Sequence, residues 1–277
     1  MTNPFSPEFL DTLAKNEAKE KTPAKENPQA KGSAKSEVSQ KPATDTKPAE
    51  GGVKDGIHEV KDSAGQVVQK IPFSQGKMHG TMEVLNPKTQ ALTHKMSYVN
   101  GVLHGDVLVY SPIDQTVAQR IPFVEGKKKG IGTFYYQGAK TSEISFDNDM
   151  MEGDAIFYGP NEIIQTLATY KTNQLHGLFS NYDNKKNLIR TVTYQNGIME
   201  GPSKTFYPSG KLLEEATYKA NKIQGSQVQY YEDGSVMRKV IYNEDGKPVH
   251  VQSFSPKGQQ TEDKAIDPAA QKTLQNS

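Results

Sequence analysis

Three histidines occupy the same place in a recurring motif. His79, His104 and His176 each stand immediately before a glycine, and histidine is the most frequent metal ligand in proteins. If the motif marks successive β-hairpins, equivalent positions in adjacent repeats lie about 10 Å apart, whereas zinc ligands bind at about 2 Å from the ion. The same position holds other polar residues elsewhere: Lys129, Glu152, Glu200 and Gln224. We therefore predict a polar turn position and no metal site.

An acidic stretch, residues 147–153, is the second group with possible chemistry. It reads Asp-Asn-Asp-Met-Met-Glu-Gly and lacks the ligand order and glycine placement of a calcium-binding EF-hand loop. The chain contains no Gly-x-Ser-x-Gly, Walker or His-Glu-x-x-His motif, and it has no cysteine to act as a nucleophile. No two carboxylates are singled out for acid and base roles. The sequence therefore predicts neither an enzyme nor a cofactor.

The motif around these residues is Gly-x-x-x-Gly, and it recurs at nearly constant spacing. The first position is Gly in five copies and Asp149, Asn173 or Asn221 in three. The second position is always glycine, at Gly56, Gly80, Gly105, Gly130, Gly153, Gly177, Gly201 and Gly225. Gly, Asn and Asp tolerate positive φ, so we predict a tight turn at the first position. For the second we predict close approach of neighbouring backbone or of an aromatic ring.

Each repeat has the pattern of a β-hairpin. After the second glycine, polar and apolar residues alternate up to an aromatic residue, a turn sequence follows, and a second alternating segment ends in another aromatic. The first set is Tyr110, Tyr135, Tyr158, Tyr182, Phe206 and Tyr230, and the second is Phe73, Tyr98, Phe123, Phe146, Tyr170, Tyr194, Tyr218 and Tyr242. The pattern predicts an all-β fold, an elongated single-layer antiparallel β-meander of about eight hairpin repeats of ~24 residues.

Composition and charge narrow the function classes. Hydrophobic residues make up 34% of the 277 residues, the net charge is +1, and basic and acidic residues are interleaved. This argues against nucleic-acid binding and makes a membrane lipid an improbable ligand. No apolar run is long enough to span a membrane and no signal peptide is recognisable, so we expect a soluble, cytoplasmic protein. The predicted domains are a helix at 1–13, a disordered linker at 14–51, the repeat domain at 52–258 and a flexible tail at 259–277.

The N-terminal helix carries a possible docking motif. Ser6 can cap the helix, Pro7 suits its first turn, and Phe5 can pack on Leu10. The apolar residues of this motif are Phe5, Phe9, Leu10 and Leu13. Two interpretations remain open. The segment is either a terminal helix without a role or a tethered motif that engages another protein or the repeat domain itself.

Aromatic residues outside the two repeated positions are the candidates for partner binding. They are Phe134, Tyr136, Phe157, Phe179, Tyr207 and Tyr231, all at even offsets from the preceding second glycine. In a regular strand they lie on the face opposite the first set of repeat aromatics. A single-layer sheet leaves apolar surface that needs a cover, so we predict a partner-binding face. Packing or turn-closing roles are the alternative, because a bulge would reverse the parity.

The repeat pattern resembles a known family. The segment Tyr194–Gly210, Tyr-Gln-Asn-Gly-Ile-Met-Glu-Gly-Pro-Ser-Lys-Thr-Phe-Tyr-Pro-Ser-Gly, is similar to the bacterial MORN-repeat variant of the YwqK-type antitoxin family. The resemblance covers roughly residues 52–246 and implies a non-enzymatic β-meander that binds and neutralises a cognate protein such as a toxin or effector. Two alternatives follow from the same resemblance. One is a scaffold or adaptor, for instance for a secreted effector, that uses the N-terminal motif as a hook, and the other is a phospholipid-binding protein.

Overall fold

The computed structural model describes residues 53–266, and its regular elements are 21 β-strands and one short 3-10 turn, Pro160–Glu162. The chain divides into two units, 1–48 and 49–277, and all described residues lie in the second. The first eleven strands are β1 Gly56–Lys61, β2 Val67–Ser74, β3 Lys77–Met78, β4 Gly80–Leu85, β5 Leu92–Val99, β6 Val102–Tyr110, β7 Val117–Val124, β8 Lys127–Lys128, β9 Gly130–Tyr136, β10 Ala139–Asp147 and β11 Met150–Tyr158. The others are β12 Ile164–Lys171, β13 Gln174–Leu175, β14 Gly177–Tyr182, β15 Leu188–Gln195, β16 Ile198–Phe206, β17 Leu212–Lys219, β18 Lys222–Tyr230, β19 Val236–Tyr242, β20 Pro248–Phe254 and β21 Gln260–Ala265.

These strands form one antiparallel sheet in which each strand pairs with its neighbours along the chain. β1 pairs with β2, β4 with β5, β5 with β6, and the pattern continues to β20 with β21. The two-residue strands β3, β8 and β13 begin segments that continue, after one irregular residue, as β4, β9 and β14. The predicted all-β meander of hairpins is therefore confirmed for the described residues.

The turn at the first motif position has two consecutive residues with positive φ. Asn100 and Gly101 have φ of 51° and 85°, and Thr172 and Asn173 have φ of 49° and 65°. Positive φ at both central residues is the mark of a type I′ turn, which matches the twist of the strands that it joins. The prediction for the first position is confirmed. The residue before it also has positive φ, although in other copies it is Gln75, Glu125 or Ala220.

The second glycine is required for a different reason from the one that the sequence suggested. All eight of these glycines have positive φ, for example 106° at Gly80 and 102° at Gly105. A Cβ atom added at Gly105 would lie 3.1 Å from the Cβ of Ser97, and one at Gly130 would lie 3.1 Å from the Cγ of Pro122. At none of the eight would it come within 4 Å of neighbouring backbone or an aromatic ring. The predicted close approach is therefore wrong, and backbone conformation is the main constraint.

A bulge in the strand pairing explains this conformation. Ile144 pairs with Ala155 and Phe146 pairs with Met151, so residues 152–154 lie opposite the single residue Ser145. β15 and β16 show the same shift between Val192 and Tyr194. Extra residues in one strand of a pair bend it and place a residue in a conformation that glycine adopts readily. In the repeats that follow a described strand, the second glycine thus lies in such a bulge, whereas Gly56 begins the first described strand.

A row of small and aliphatic side chains crosses the sheet on one face and forms the core. In its central part Ile144 pairs with Ala155 and Ala155 with Ala168, and these side chains are only 2%, 1% and 3% exposed. The row continues through Phe179, Val192, Ser203 and Ala216, which are also buried. We call this side of the sheet the core face. The opposite side, the outer face, carries alternate residues such as Glu143, Ser145 and Leu178.

The C-terminal boundary of the sheet differs from the predicted one. We predicted a flexible tail from residue 259, but Gln260–Ala265 forms β21 and pairs with β20. The segment is polar and entirely exposed, so it has no alternating apolar signal, and backbone pairing alone reveals it. The predicted N-terminal helix with Phe5, Phe9, Leu10 and Leu13, the linker, Gly52 and residues 267–277 lie outside the described residues.

Candidate binding surface

The polar position that holds the three histidines links successive turns of the sheet. Glu152 Oε2 accepts a hydrogen bond from the backbone N–H of Thr172 at 2.8 Å, and Glu200 Oε2 accepts one from Ala220 at 2.8 Å. At the same position His176 Nδ1 lies 3.4 Å from the backbone nitrogen of Asn196. Between residues 53 and 266 no three His, Asp or Glu side chains come together in an arrangement that could hold a metal ion.

Two of the six aromatic candidates join neighbouring repeats through their hydroxyl groups. Tyr207 Oη donates a hydrogen bond to the carbonyl oxygen of Tyr230 at 2.8 Å, and Tyr231 Oη donates one to Phe254 at 2.8 Å. In both cases the acceptor lies 23 residues further along the chain. These contacts hold one hairpin loop against the next and give the two tyrosines a structural role.

Phe179 belongs to the core row. It pairs with Val192 in the sheet and is 9% exposed. Its ring lies 5.9 Å from that of Tyr194, edge to face, in the geometry that aromatic pairs favour. Phe179 therefore offers a partner much less surface than Tyr136, which is 46% exposed.

Phe134 and Phe157 lie on the core face on either side of Ser142, two strands apart. Both pair with Ser142, one from β9 and one from β11, and both are half-buried. The residues around them are small. A Cβ atom added at Gly132 would lie 2.8 Å from Cε2 of Phe146 and 3.6 Å from Cε2 of Phe134. We call Phe134, Phe157 and the exposed Tyr136 the aromatic patch.

The aromatic patch is bounded on one side by polar residues that pair across the strands after Phe157. Phe157 pairs with Thr166, Thr166 with Asn181, and Asn181 with Arg190. Asn181 Nδ2 donates a hydrogen bond to Thr166 Oγ1 at 2.9 Å, which closes the polar side. The patch is therefore a bounded apolar area in the middle of the sheet.

An ionic cluster lies on the outer face of the same strands. Glu143 accepts hydrogen bonds from Lys140 Nζ at 2.7 Å and from Tyr158 Oη at 2.5 Å. The hydrogen bond from Lys140, followed by that from Tyr158, lowers the pKa of the Glu143 carboxyl. Burial and then the bond to Glu143 raise the pKa of Tyr158. The carboxylate is committed to these two donors, which suits a structural ion pair better than a general base. No local sequence pattern indicates this cluster, because Glu143 and Tyr158 are 15 residues apart.

The compact basic cluster, residues 127–129, contacts the turn of the next repeat. Lys129 Nζ lies 3.3 Å from Asp147 Oδ1, and Lys127 Nζ lies 3.3 Å from Asn148 Oδ1. Lys128 Nζ lies over the ring of Phe146, 5.5 Å from its centroid. These contacts reduce the positive potential that the cluster presents to an anionic surface.

Two consecutive segments in the C-terminal part of the sheet match one protein family. The MORN repeat variant family matches residues 199–220 and 223–244. The match supports a MORN-repeat protein, a non-enzymatic repeat type whose repeats bind proteins or lipids. No curated protein matches the chain. Among residues 53–266 no helix has the length and apolar character needed to cross a membrane.

Proposed function

We propose that this chain is a non-enzymatic protein-binding repeat protein whose partner contacts the aromatic patch. The observation that carries the proposal is that half-buried Phe134 and Phe157 and exposed Tyr136 lie on a sheet without a second layer over it in residues 53–266. Aromatic side chains with adjacent apolar surface are the residues that contribute most to protein interfaces. A rigid sheet presents them without the entropic loss of ordering a loop on binding.

The finer form of this proposal is an antitoxin or immunity factor of a bacterium. In this form the sheet holds or occludes a cognate toxin in the cytoplasm. The resemblance of residues 194–210 to the antitoxin-type repeat favours it, as does the absence of an activated nucleophile or base in the ionic cluster at Glu143.

A decisive test is co-expression with the product of the adjacent reading frame. We expect that frame to encode a toxic protein and this chain to restore growth. The double variant Phe134→Ser/Phe157→Ser should lose binding and rescue while it still folds and unfolds cooperatively. Leu178→Ser is the matched control, because Leu178 is 56% exposed on the outer face. Unchanged binding by the double variant would exclude the aromatic patch, and a harmless neighbour that does not bind would exclude the antitoxin role.

The adaptor alternative places the function in the N-terminal motif around Phe9 and Leu10. Deletion of residues 1–50 separates the two functions. An antitoxin that acts through its sheet keeps its activity after the deletion, whereas a tethered hook loses its partner.

The lipid alternative has less support from the charges of the sheet. Its basic cluster, residues 127–129, contacts Asp147, Asn148 and Phe146, and juxtamembrane lipid binding depends on several accessible basic residues. Flotation with liposomes that contain anionic phospholipid tests it. Recovery of the chain with the liposomes would favour this alternative over a protein partner.

A further inference from the structure

The last repeats carry a cavity on the core face that none of the functions above uses. It has a volume of about 270 Å³ and is lined by residues of β18 and β19, by Pro248 at the start of β20 and by Ile266 directly after β21. Its polar lining residues are Gln227, Gln229, Arg238 and Tyr242, and its apolar wall includes Val240 and Ile266. The backbone N–H of Ile266 donates to the carbonyl of Val249 at 2.8 Å, which holds this wall in place.

Hydrogen bonds orient the two glutamine amides in opposite ways. Tyr242 Oη donates to Gln227 Oε1 at 2.8 Å, so the Gln227 amide presents its N–H₂ group as a donor. Gln229 Nε2 instead donates to Glu214 Oε2 at 2.8 Å, so its carbonyl oxygen faces other groups as an acceptor. The Glu214 carboxylate accepts this bond from a neutral amide and lies beside the cavity as a negative group. The cavity thus offers one amide donor and one amide acceptor in fixed orientations.

Arg238 supplies the charge of the cavity. It pairs with Gln229 in the sheet, its side chain is exposed, and none of the ion pairs within residues 53–266 includes it. A guanidinium binds a carboxylate through two parallel hydrogen bonds, and it binds phosphate in the same way. Arg238 is the one cation among the lining residues, and it balances the single charge of a carboxylate but not the second charge of a phosphate monoester. A cation beside an amide donor and an apolar wall therefore selects a carboxylate that is attached to an apolar group.

We propose that this cavity binds the C-terminal carboxylate of a peptide chain whose last residue is apolar. Arg238 and the Gln227 amide bind the carboxylate, and the wall of Val240 and Ile266 contacts the side chain. The carbonyl of Gln229 accepts the N–H of the last peptide unit, a group that a fatty acid lacks. The volume lies just below the range of about 300 to 1,000 Å³ for small-molecule sites, so it suits a single residue. The proposal does not depend on the aromatic patch, which lies in other repeats.

The test measures binding of three small probes to the full chain by calorimetry or NMR titration. N-acetyl-leucine carries both groups, N-acetyl-leucinamide lacks the carboxylate, and hexanoate lacks the peptide N–H. We expect N-acetyl-leucine to bind at least about tenfold more tightly than either of the others, as expected for the loss of a charged hydrogen bond. Arg238→Gln should reduce the affinity for N-acetyl-leucine to that of the wild type for N-acetyl-leucinamide.

Arg190→Gln is the matched control, because Arg190 is another exposed arginine of the core face and lies outside the cavity. It should leave the affinity unchanged. The carboxylate site would be refuted by any of three results. These are no binding of N-acetyl-leucine, equally tight binding of N-acetyl-leucinamide, and an unchanged affinity of the Arg238→Gln variant. Hexanoate that binds as tightly as N-acetyl-leucine would overturn the assignment to a peptide end.

Discussion

Gly105 shows how a single backbone angle restricts a residue in this repeat. Its φ is +102°, outside the left-handed region that Asn or Asp can adopt. A Cβ atom added at Gly105 would also lie 3.1 Å from the Cβ of Ser97. Gly101, in the adjacent turn, has φ of +85° and no heavy atom within 4 Å of an added Cβ. The two glycines of one motif thus differ in what they tolerate.

Substitution of these two glycines tests the difference. We expect Gly105→Ala to lower the free energy of unfolding by about 1 to 3 kcal/mol, the usual effect of a strained backbone conformation. Gly101→Asn should change it by less than about 0.5 kcal/mol, because its site resembles those of Asn173 and Asn221. Chemical denaturation of the two variants measures both values. Equal losses would contradict the proposed role of the bulge.

Tyr170 is the most strongly shifted tyrosine, and its titration can be followed. Burial on the core face, next to the core row, raises its pKa from 10 to about 12. The unfolded chain releases this proton near pH 10, whereas the folded chain retains it until about pH 12. The free energy of unfolding should therefore fall as the pH rises through this window.

Tyr170→Phe isolates that contribution. The difference between the ultraviolet tyrosinate titrations of the wild type and the variant should show one group with a pKa near 12. The variant should also lose stability less steeply above pH 10. A difference curve centred at pH 10 would show that Tyr170 is accessible to water in the folded protein.

At the scale of the element, turn-to-turn hydrogen bonds join one hairpin to the next. Asn221 combines a φ of 66° with a side-chain oxygen that accepts the backbone N–H of Met199 at 2.8 Å. Asn173 makes the same contact with Met151 at 2.7 Å. The backbone N–H of Asn221 in turn donates to the carbonyl of Met199 at 3.1 Å. An Asn at the first motif position thus serves both its own turn and the preceding repeat.

Two substitutions of Asn221 separate these roles. Asn221→Gly keeps the positive φ and removes the side-chain bond, so we expect a loss of about 0.5 to 1.5 kcal/mol in the free energy of unfolding. Asn221→Ala removes the same bond, and the left-handed conformation of alanine should lower the free energy of unfolding by about 1 kcal/mol more. Thermal or urea unfolding measures both. If the alanine variant were as stable as the glycine variant, the φ requirement at this position would be refuted.

The hairpins themselves were predictable from local patterns, and their pairing register was not. Alternation and turn residues predict strands at β15 and β16 without reference to any distant residue. The bulge that places residues 152–154 opposite Ser145 depends on pairing between strands. For the same reason β21, which has no apolar alternation, was predicted as tail.

At the scale of the whole molecule, stability is concentrated in the middle of the sheet. Apart from Met82 and Val251, all buried residues of the described range lie between Gly132 and Ala216. Both outermost strands, β1 and β21, are largely or entirely exposed. In a repeat protein each unit is stabilised only by its neighbours, so the ends should open first.

Hydrogen exchange measured by mass spectrometry tests this distribution. We expect the slowest exchange in β10 to β16 and exchange at least about tenfold faster in β1 and β21, because terminal units open with a smaller free energy. Met82→Ala and Ala155→Gly compare a terminal and a central core position. Of the two variants, only Ala155→Gly should speed hydrogen exchange in the central strands. Uniform exchange across the sheet would mean that it opens as one cooperative unit.

The sequence by itself determined the repeat, the hairpin and the positive φ at the first motif position, because these depend on residues within a few positions of one another. The tertiary structure decided which aromatic residues remain accessible. Phe179 enters the core row because it pairs with Val192, and Tyr207 reaches a carbonyl 23 residues away. Pairing across strands also brings Arg238 beside Gln227 and Gln229 at the cavity. A local pattern contains no information on such distant pairs, since the register of the sheet sets them.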